Sequence, residues 1–503
     1  MYKRSPAPEK NGSINTVGLE FIMKTLDADL SDYRKAIGNA FEASQSHVFR
    51  WWNEISKQEK KHLLHQIATM DFPFIHNLFM NKSLCKTQPD TRTAGLQLTP
   101  PNVIPVPVND QEKISALEAR RIGEESLRKG EIAVLTVAGG DGTRLGIGKP
   151  KGMLSVAPLS GKSIFQLHAE KIYTMQKKFR VTIPWYLMTS ETNDFATREF
   201  FRVMHFFGLD PKQVHFFVQR MLPVIDLHGN LLMNSKANII MSPNGHGGTI
   251  TALKEKGILS NMKENGIKNI FYHQVDNVLV RMVDPVFIGY HLKNRSEISL
   301  KSVKKHHPEE KVGVIGYING KLHIIEYSEL SHADMYAQNA DGSLKYNAAN
   351  TAIHLMNTDF LEHICQDGTK LPYHAAKKKV TYLNAAGEII APKENNAVKF
   401  ECFIFDILKH VKRGIVMEVL REDEFSPLKN TEGDNSPVTV VRDINNLFGK
   451  WLRNAGIPIP VDAQGNVIGS IEIGAAYAID EEMLRNKIDK GLRFSGTLNL
   501  QAP

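Results

Sequence analysis

From about residue 112, short apolar runs alternate with amphipathic segments, and this alternation constrains the fold more than any other feature of the chain. The amphipathic segments have the apolar spacing of helices and span 112–129, 163–179, 193–207 and 248–256. The apolar runs, rich in β-branched or aromatic residues, have the length of buried strands and span 131–137, 183–189, 214–219, 269–275 and 297–303. Strands and helices in alternation predict a mostly parallel sheet that is covered on both faces.

The rest of the chain predicts regions of a different character on either side. Apolar residues recur at helical spacing within residues 16–80, and a proline-rich connector follows at 86–108. Residues 321–350 alternate differently, as an insertion or an antiparallel extension of the sheet would. Because 503 residues exceed one ordinary core, we predict a division into a helical N-terminal domain plus linker, a central α/β domain and a small C-terminal domain, spanning 1–108, 109–410 and 411–503.

The composition excludes several classes of protein. With 42% apolar and 23% charged residues, the chain is globular rather than disordered. Cys85, Cys365 and Cys402 lie far apart in the sequence, so neither a disulfide framework nor a cysteine zinc site is expected, which fits a reducing compartment. The formal net charge of +8 suits an anionic ligand, but no basic patch interleaved with aromatic residues indicates a nucleic-acid partner. No apolar stretch has the length of a membrane span or a signal peptide, so we expect a cytoplasmic protein that does not bind membranes.

A glycine-rich loop directly follows the first predicted strand of the central region. Its sequence is VLTVAGGDGTRLGIGKPKGML, residues 134–154, with glycines at 139, 140, 142 and 146. Glycines let a backbone approach a ligand closely, and successive exposed N–H groups can cradle phosphate oxygens. Open α/β sheets bind ligands at the carboxyl ends of their strands, where this loop lies. The loop therefore indicates a phosphate or nucleotide site.

The loop differs from two common nucleotide-binding patterns. The glycines at 140, 142 and 146 are spaced G-x-G-x-x-x-G, one residue longer than the dinucleotide fingerprint, and Val156 stands where the first glycine of a Walker A loop would be. Arg144 and Lys151 instead place a planar cation and a point charge beside the glycines, as polyphosphate transfer requires. The alternative interpretation is a tight turn with basic residues on the surface.

These residues resemble a known family. The stretch AGGDGTRLG…PKGM is similar to the loop of nucleotide-sugar pyrophosphorylases, and its PKGM ending resembles the eukaryotic-type UDP-N-acetylhexosamine (UDP-N-acetylglucosamine) pyrophosphorylases. The resemblance covers residues 110–435 and includes further matching segments in the same order: FFVQRMLPVID (216–226), HQVDNVLVRMVDPVFIGY (273–290), EYSEL (326–330), YNAAN (346–350), FECFIFDIL (400–408) and VLREDEFSPLKN (419–430).

The resemblance implies both a fold and a reaction. The expected fold is the α/β nucleotidyltransferase fold, with a central Rossmann-like, mostly parallel mixed sheet, a helical N-terminal region and a small C-terminal domain. The implied reaction joins UTP and N-acetylglucosamine 1-phosphate into UDP-N-acetylglucosamine and pyrophosphate. The implied cofactor is Mg²⁺, with Mn²⁺ as a substitute, and the protein is expected to be a monomer or a weak homodimer.

The resemblance also assigns residues to the reacting phosphates. Arg144 and Lys151 match basic residues at the triphosphate, and we expect Lys151 to stabilise the α-phosphoryl group. Lys429 matches a lysine that a loop brings to the phosphates, and Lys399 is a second candidate. For both, the alternative is a lysine on the surface. Asp276 follows a predicted buried strand, where a carboxylate suits Mg²⁺ held mainly by phosphates and water, unless it merely caps a helix or turn.

Further matches are implied for the nucleotide. Gly139 and Gly140 are expected against the uracil and ribose, and Gln219 near the uracil, whose imide edge an amide can pair with. Gly245 and His246, in SPNGHGG, are also assigned to the nucleotide.

The remaining matches concern the sugar. Glu326 and Asn350 match positions that bind hydroxyl groups, and Gly313 lets the sugar approach the backbone. Phe403 and Phe405 match aromatic residues near the acetamido group, and because they are two residues apart we expect both to face one side of a strand. The alternative for both is an ordinary place in the core.

Two positions depart from the family pattern. The glycine loop commonly carries Gln where this chain has Asp141, and the acetylhexosamine enzymes usually carry Asn where this chain has His246. A histidine at this position resembles the pattern of UDP-glucose and broad UDP-sugar pyrophosphorylases. His246 is therefore expected either to contact a sugar hydroxyl or to be a structural turn residue. The functions that stay open are an acetylhexosamine enzyme, an enzyme for glucose or several sugars, an inactive UDP-sugar binder and, least favoured by the charge, a nucleic-acid binder.

Overall fold

The computed structural model describes residues 16–80, 97–140, 142, 145–146, 148–366 and 371–502. Its α-helices are α1 Thr16–Lys24, α2 Arg34–Glu42, α3 Lys57–Ala68, α4 Phe72–Met80, α5 Asp110–Arg128, α6 Ile164–Phe179, α7 Asp194–Val203, α8 Gly248–Glu255, α9 Ile258–Glu264, α10 Pro285–Lys293, α11 His332–Met335, α12 Thr358–Gln366, α13 Arg421–Glu424, α14 Pro437–Asn454 and α15 Glu481–Lys487. Short 3₁₀ helices include Lys151–Met153 and Ile404–His410.

The strands are distributed along the whole described chain after α4. They are β1 Leu98–Thr99, β2 Val103–Ile104, β3 Ile132–Val137, β4 Trp185–Thr189, β5 Val214–Val218, β6 Met221–Pro223, β7 Ile225–Asp226, β8 Met233–Ser235, β9 Asn238–Ile239, β10 Met241–Pro243, β11 Asn269–Gln274, β12 Ile298–Lys304, β13 Val314–Ile318, β14 Lys321–Ile325, β15 Ala348–Asn357, β16 Tyr373–Lys378, β17 Tyr382–Leu383, β18 Ile389–Ile390, β19 Ala397–Cys402, β20 Gly414–Glu418, β21 Ser470–Ile473 and β22 Thr497–Leu500.

A large mixed sheet is the centre of the fold. Its main path runs β2-β20-β12-β15-β11-β3-β4-β5, and β15 lies antiparallel to both of its neighbours while the other pairs in this path are parallel. β13 joins β15 and pairs with β14 in an antiparallel hairpin, so residues 321–325 extend the sheet. The predicted α/β class with a mostly parallel mixed sheet is confirmed.

Helices cover this sheet on both faces. Alternate residues of β3 enter two separate cores, because successive side chains of a strand point to opposite faces. Ile132 and Val134 belong to the core that includes Phe165 of α6, whereas Ala133 and Leu135 belong to the core that includes Leu253 of α8. The strand is buried on both sides, which explains why its sequence is a continuous apolar run.

Helices α5 and α10 pack closely because of two glycines. A Cβ atom added to Gly123 would lie 1.9 Å from the carbonyl oxygen of Pro285. One added to Gly289 would lie 1.6 Å from the carbonyl oxygen of Ala119. The helix backbones therefore touch at a distance that no larger residue permits.

The chain groups into two compact units. The first contains the described part of Met1–Thr87 together with Met221–Gly245 and Pro372–Cys402, and the second contains Gln88–Arg220, His246–Leu371 and Phe403–Pro503. In the first unit, Leu63, Ile225 and Phe400 share one apolar core, so the predicted N-terminal helices pack on strands from two later segments. The division at residues 108 and 410 stays a prediction. None of the helices in the described residues is long and apolar enough to cross a membrane.

Candidate active site

The glycine loop begins where β3 ends, and its first glycine lies against Gln219. A Cβ atom at Gly139 would lie 2.3 Å from Nε2 of Gln219. The backbone N–H of Gln219, just past β5, donates to the carbonyl of Thr189 at the end of β4. Gln219 is 5% exposed, whereas Gly140 is exposed with open space beside it. The structure thus brings together the glycines and the amide that were assigned to the nucleotide.

The loop continues through backbone conformations that favour glycine. Gly142 and Gly146 have φ values of 62° and 64°, in the left-handed region. The N–H of Leu145 donates to the carbonyl of Gly142 across the turn. Arg144 and Asp141, singled out from the sequence, lie outside the described residues.

Lys151 and Asp276 meet at the carboxyl edge of the sheet. Lys151 opens a short 3₁₀ helix after the loop, and Asp276 follows β11, which pairs in parallel with β3. Lys151 Nζ lies 3.2 Å from Oδ2 of Asp276 and donates to the carbonyl of Leu428 at 3.0 Å. The side chains of Lys151 and Asp276 are 18% and 10% exposed. A partly buried ammonium group is therefore held beside a carboxylate, with its direction set by two acceptors.

The segment that carries Lys429 is hydrogen-bonded to Asp276 and to the residue after it. The N–H of Leu428 donates to the carbonyl of Asp276 at 2.9 Å. The Asn277 side chain donates from Nδ2 to the carbonyl of Glu424 at 2.8 Å and accepts from the N–H of Ser426 at 3.0 Å. Lys429 follows directly and is half-buried at a cavity of about 700 Å³.

Sequence reasoning missed the groups that make this junction. The carbonyl of Leu428 and the amide of Asn277 hold Lys151 and the Lys429 segment at Asp276. Asn277 was detectable as the amide directly after the candidate carboxylate. The carbonyl of Leu428 had no sequence signal, because every residue has a carbonyl.

Three residues assigned to the sugar also lie together. The N–H of Asn350 donates to the carbonyl of Gly313 at 2.9 Å. A Cβ atom at Gly313 would lie 3.4 Å from Oε1 of Glu326. Oδ1 of Asn350 accepts from Nε2 of His354 at 3.3 Å, which orients the amide. This corner offers a carboxylate and an amide beside a backbone that carries no side chain.

His246 packs against the two predicted aromatic residues. Its ring lies 5.4 Å from that of Phe403 and 5.6 Å from that of Phe405, and these two rings stack at 5.0 Å. The prediction that the two aromatic residues share one side of a strand is wrong, because β19 ends at Cys402 and Phe405 lies in the 3₁₀ helix Ile404–His410. The N–H of Ile404 donates to Nδ1 of His246 at 3.2 Å, so the ring proton belongs on Nε2. Burial lowers the pKa of His246 to about 4. The imidazole is therefore neutral at pH 7 and can donate one hydrogen bond.

Gly245 and Lys399 belong to the first compact unit. Gly245 has a φ of 83°, and a Cβ atom there would lie 2.5 Å from the carbonyl oxygen of Cys402. Lys399 lies in β19, where it pairs with Ala376, and is half-buried. The remaining described candidates belong to the second unit.

Asp276 provides a single carboxylate for a divalent cation. Within the described residues, no group of three or more His, Cys, Asp or Glu side chains is arranged to hold a metal ion. Mg²⁺ keeps several waters and is usually bound by one or two carboxylates plus substrate phosphates. The donor set therefore fits a cation that arrives with a polyphosphate.

The chain is similar to known proteins over most of its length. The model of a family described as UTP–glucose-1-phosphate uridylyltransferase matches residues 80–442. The chain is 38% identical over 436 residues to the UDP-N-acetylglucosamine pyrophosphorylase of Saccharomyces cerevisiae, covering 82% of this chain and 90% of that protein. It is 36% identical over 435 residues to the human UDP-N-acetylhexosamine pyrophosphorylase-like protein 1, covering 84% and 86%. The structure of the Trypanosoma brucei uridine diphosphate N-acetylglucosamine pyrophosphorylase in complex with inhibitor aligns with a TM-score of 0.78 at 26% identity, covering 94% of this chain and 98% of that one.

Proposed function

Because this chain belongs to the UTP–glucose-1-phosphate uridylyltransferase family, we propose that it converts UTP and N-acetylglucosamine 1-phosphate into UDP-N-acetylglucosamine and pyrophosphate. The family match and the relatives named above confirm the resemblance of this chain to eukaryotic-type UDP-sugar pyrophosphorylases. The preference for the acetylated sugar is supported by relatives such as the yeast enzyme, which is 38% identical. The observation that carries the proposal is the convergence of Lys151, Asp276 and the Lys429 segment beside the glycine loop.

The reaction requires no protein nucleophile. A phosphate oxygen of the sugar 1-phosphate attacks the α-phosphorus of UTP, a P–O bond forms, and the bond to the β-phosphate oxygen breaks as pyrophosphate leaves. The protein contributes positioning and neutralises the charge that develops. Lys151 suits this role because the carbonyl of Leu428 and Asp276 already direct its ammonium group.

Asp276 is the residue that we expect to hold Mg²⁺ or Mn²⁺. The cation supplies charge neutralisation at the phosphate oxygens when it is bound. Lys429 and Arg144 are proposed to contact the phosphates from other sides. The roles of Arg144 and Lys399 rest on the resemblance alone.

Gly139, Gly140 and Gln219 are proposed to receive the uracil and ribose. The open space beside Gly140 supports this assignment, because a base can lie flat against a backbone without a side chain. The buried Gln219 amide offers one donor and one acceptor to the imide edge of uracil. Gly245 is assigned to the nucleotide by resemblance.

Gly313, Glu326 and Asn350 are proposed to bind the sugar hydroxyls. Phe403 and Phe405 supply an apolar surface for the acetamido methyl group. His246, assigned to the nucleotide from the sequence, contacts these two rings and carries its proton on Nε2, so we propose that it faces the sugar and donates to it.

The test is pyrophosphate release with UTP and Mg²⁺, comparing N-acetylglucosamine 1-phosphate with glucose 1-phosphate. We expect the acetylated sugar to give the higher kcat/KM. A preference for glucose would move the chain to the UDP-glucose alternative and make His246 the residue that selects the sugar. Absence of turnover with either sugar would contradict the proposal. The cytoplasmic location and the monomer or weak homodimer stay predictions, which cell fractionation and sedimentation would check.

A further inference from the structure

A buried cluster of charges lies under the segment that carries Lys429. Lys301 of β12 is fully buried, and its Nζ lies 2.8 Å from Oδ2 of Asp284 and 2.5 Å from Oε2 of Glu424. The side chains of Asp284 and Glu424 are 2% and 8% exposed. Nε of the half-exposed Arg281 lies 3.7 Å from Oδ1 of Asp284, so two cations face two carboxylates.

Each member of the cluster is fixed by a different part of the fold. Lys301 lies in the central sheet, where its carbonyl accepts from the hydroxyl of Thr351. Asp284 caps α10 by accepting from the N–H of Val286 at 3.1 Å. Glu424 ends α13, in the segment that leads to Lys429. The cluster therefore joins a short helix and the loop after it to the central sheet and to the start of α10.

The pKa values of the two carboxylates shift in opposite directions. Burial by itself raises the pKa of Asp284, but the nearby Lys301 and Arg281 outweigh it and lower that pKa to about 2. Burial raises the pKa of Glu424 above its ordinary value, against the attraction of Lys301. Glu424 is thus the carboxylate whose charged form the cluster stabilises less.

A short path of hydrogen bonds connects Glu424 to the reacting groups. The carbonyl of Glu424 accepts from Asn277, whose side chain also accepts from the N–H of Ser426. Two residues further on, Leu428 donates its N–H to the carbonyl of Asp276, and its own carbonyl accepts from Lys151. A shift of Glu424 would therefore move the acceptor that directs Lys151 and the backbone that carries Lys429.

We infer that Lys301, Asp284 and Glu424 form a positioning triad that holds the segment 424–429 in register with Asp276 for uridylyl transfer, an inference that rests on the proposed function. The triad touches neither substrate nor the transferred phosphoryl group. It acts through Asn277 and Leu428 on Lys151 and Lys429. Uracil and sugar contacts made by Gln219 and Asn350 lie outside this path.

The test measures pyrophosphate release by the full-length chain carrying Glu424→Gln. The substitution keeps the shape of the side chain but removes the charge that Lys301 holds. A second variant, Lys301→Met with Glu424→Gln, removes one cation and one anion, so the charge of the cluster stays balanced and folding is preserved. Glu422→Gln is the matched control, since Glu422 lies in the same helix but is 59% exposed and pairs with Lys450 instead.

We expect kcat to fall by about tenfold or more in both Glu424 variants, because displacement of a catalytic group by about 1 Å can cost about 100-fold. The KM for N-acetylglucosamine 1-phosphate should stay within about twofold of the parent value, and the melting temperature should show that the variants remain folded. Glu422→Gln should match the parent in all three measurements.

Parent-like kcat in the double variant would overturn the inference, as would a kcat loss that Glu422→Gln shares. A change in KM with unchanged kcat would also overturn it, since that pattern indicates a binding role. If the parent chain itself released no pyrophosphate, the proposed function would fall first and this inference with it.

Discussion

The buried histidine His291 predicts how the stability of this protein depends on pH. His291 lies in α10 and is 1% exposed, with Nδ1 2.7 Å from Oγ of Ser299 and Nε2 3.0 Å from Oδ1 of Asn269. The amide oxygen can only accept, so Nε2 carries the proton and Nδ1 accepts from the hydroxyl. Burial lowers the pKa of His291 from 6.5 to about 3.

The sign and the size of the effect follow from these two pKa values. Between pH 6.5 and about pH 3 the unfolded chain binds a proton at His291 and the folded chain does not, so stability falls as pH falls through this window. One pH unit corresponds to about 1.4 kcal/mol. At about pH 5, some 1.5 units below the unfolded pKa, His291 therefore lowers the free energy of unfolding by about 2 kcal/mol relative to pH 7.

The perturbation is His291→Gln, measured by urea unfolding at pH 7 and at about pH 5. At pH 7 the variant should be less stable than the parent by about 2 kcal/mol, because a flexible amide replaces the rigid ring that bridges Ser299 and Asn269. At about pH 5 that difference in stability should shrink by about 2 kcal/mol, since only the parent has a His291 that is protonated when unfolded and neutral when folded. The other buried histidines are present in both proteins and cancel.

Ser299→Ala is the matched control for His291→Gln. It removes the hydroxyl partner but leaves the ring buried, and burial is the cause of the shift. We expect Ser299→Ala to lower stability at both pH values while keeping the parent's pH dependence. If His291→Gln instead retained the full pH dependence of the parent, the assignment of a buried, neutral His291 would be wrong.

Further substitutions test the phosphate site, the nucleotide site and the packing of the helices. Lys151→Met should lower kcat by about 10²–10³ with the fold intact, as loss of one preorganised donor does; parent-like turnover in the pyrophosphate assay would contradict its role. Gly139→Ala should raise the KM for UTP by displacing Gln219, whose Nε2 lies 2.3 Å from the new Cβ. Gln219→Ala should raise that KM equally, and the double variant should raise it no further; additive effects in the double variant would refute the shared cause. Gly289→Ala should lower the free energy of unfolding by about 3 kcal/mol, because its Cβ would meet the Ala119 carbonyl at 1.6 Å. Gly38→Ala, with nothing within 4 Å, should instead stabilise α2 by about 0.5–1 kcal/mol in the same denaturant titration.

Much of the central fold was predictable from local sequence. The run 131–137 became β3 Ile132–Val137, and the amphipathic segment 163–179 became α6 Ile164–Phe179. The helix was predictable because its buried face recurs at helical spacing, and the strand because burial on both faces makes a short continuous apolar run. For residues 321–350 an insertion and an antiparallel extension of the sheet were both open. The antiparallel pairing of β14 with β13 shows that the start of this segment extends the sheet.

The grouping of segments was not predictable in the same way. Residues 221–245 and 372–402 pack with the N-terminal helices in one compact unit, although they interrupt the central region in sequence. The strand Gly414–Glu418 pairs with β12 in the central sheet, beyond the position where a C-terminal domain was expected to begin. Pairings of this kind depend on distant partners, which a single segment does not reveal.

The sequence by itself determined the chemical character of the candidate site. Glycines after a buried strand, Lys151 beside them and Asp276 after another strand indicated a phosphate site, because few residue types suit that chemistry in that place. The tertiary structure alone decided how those groups are held. Lys151 reaches the carbonyl of Leu428 across 277 positions of sequence, and Lys301 reaches Glu424 across 123. Backbone acceptors and buried ion pairs leave no local pattern, since their partners become neighbours only when the sheet and its loops assemble.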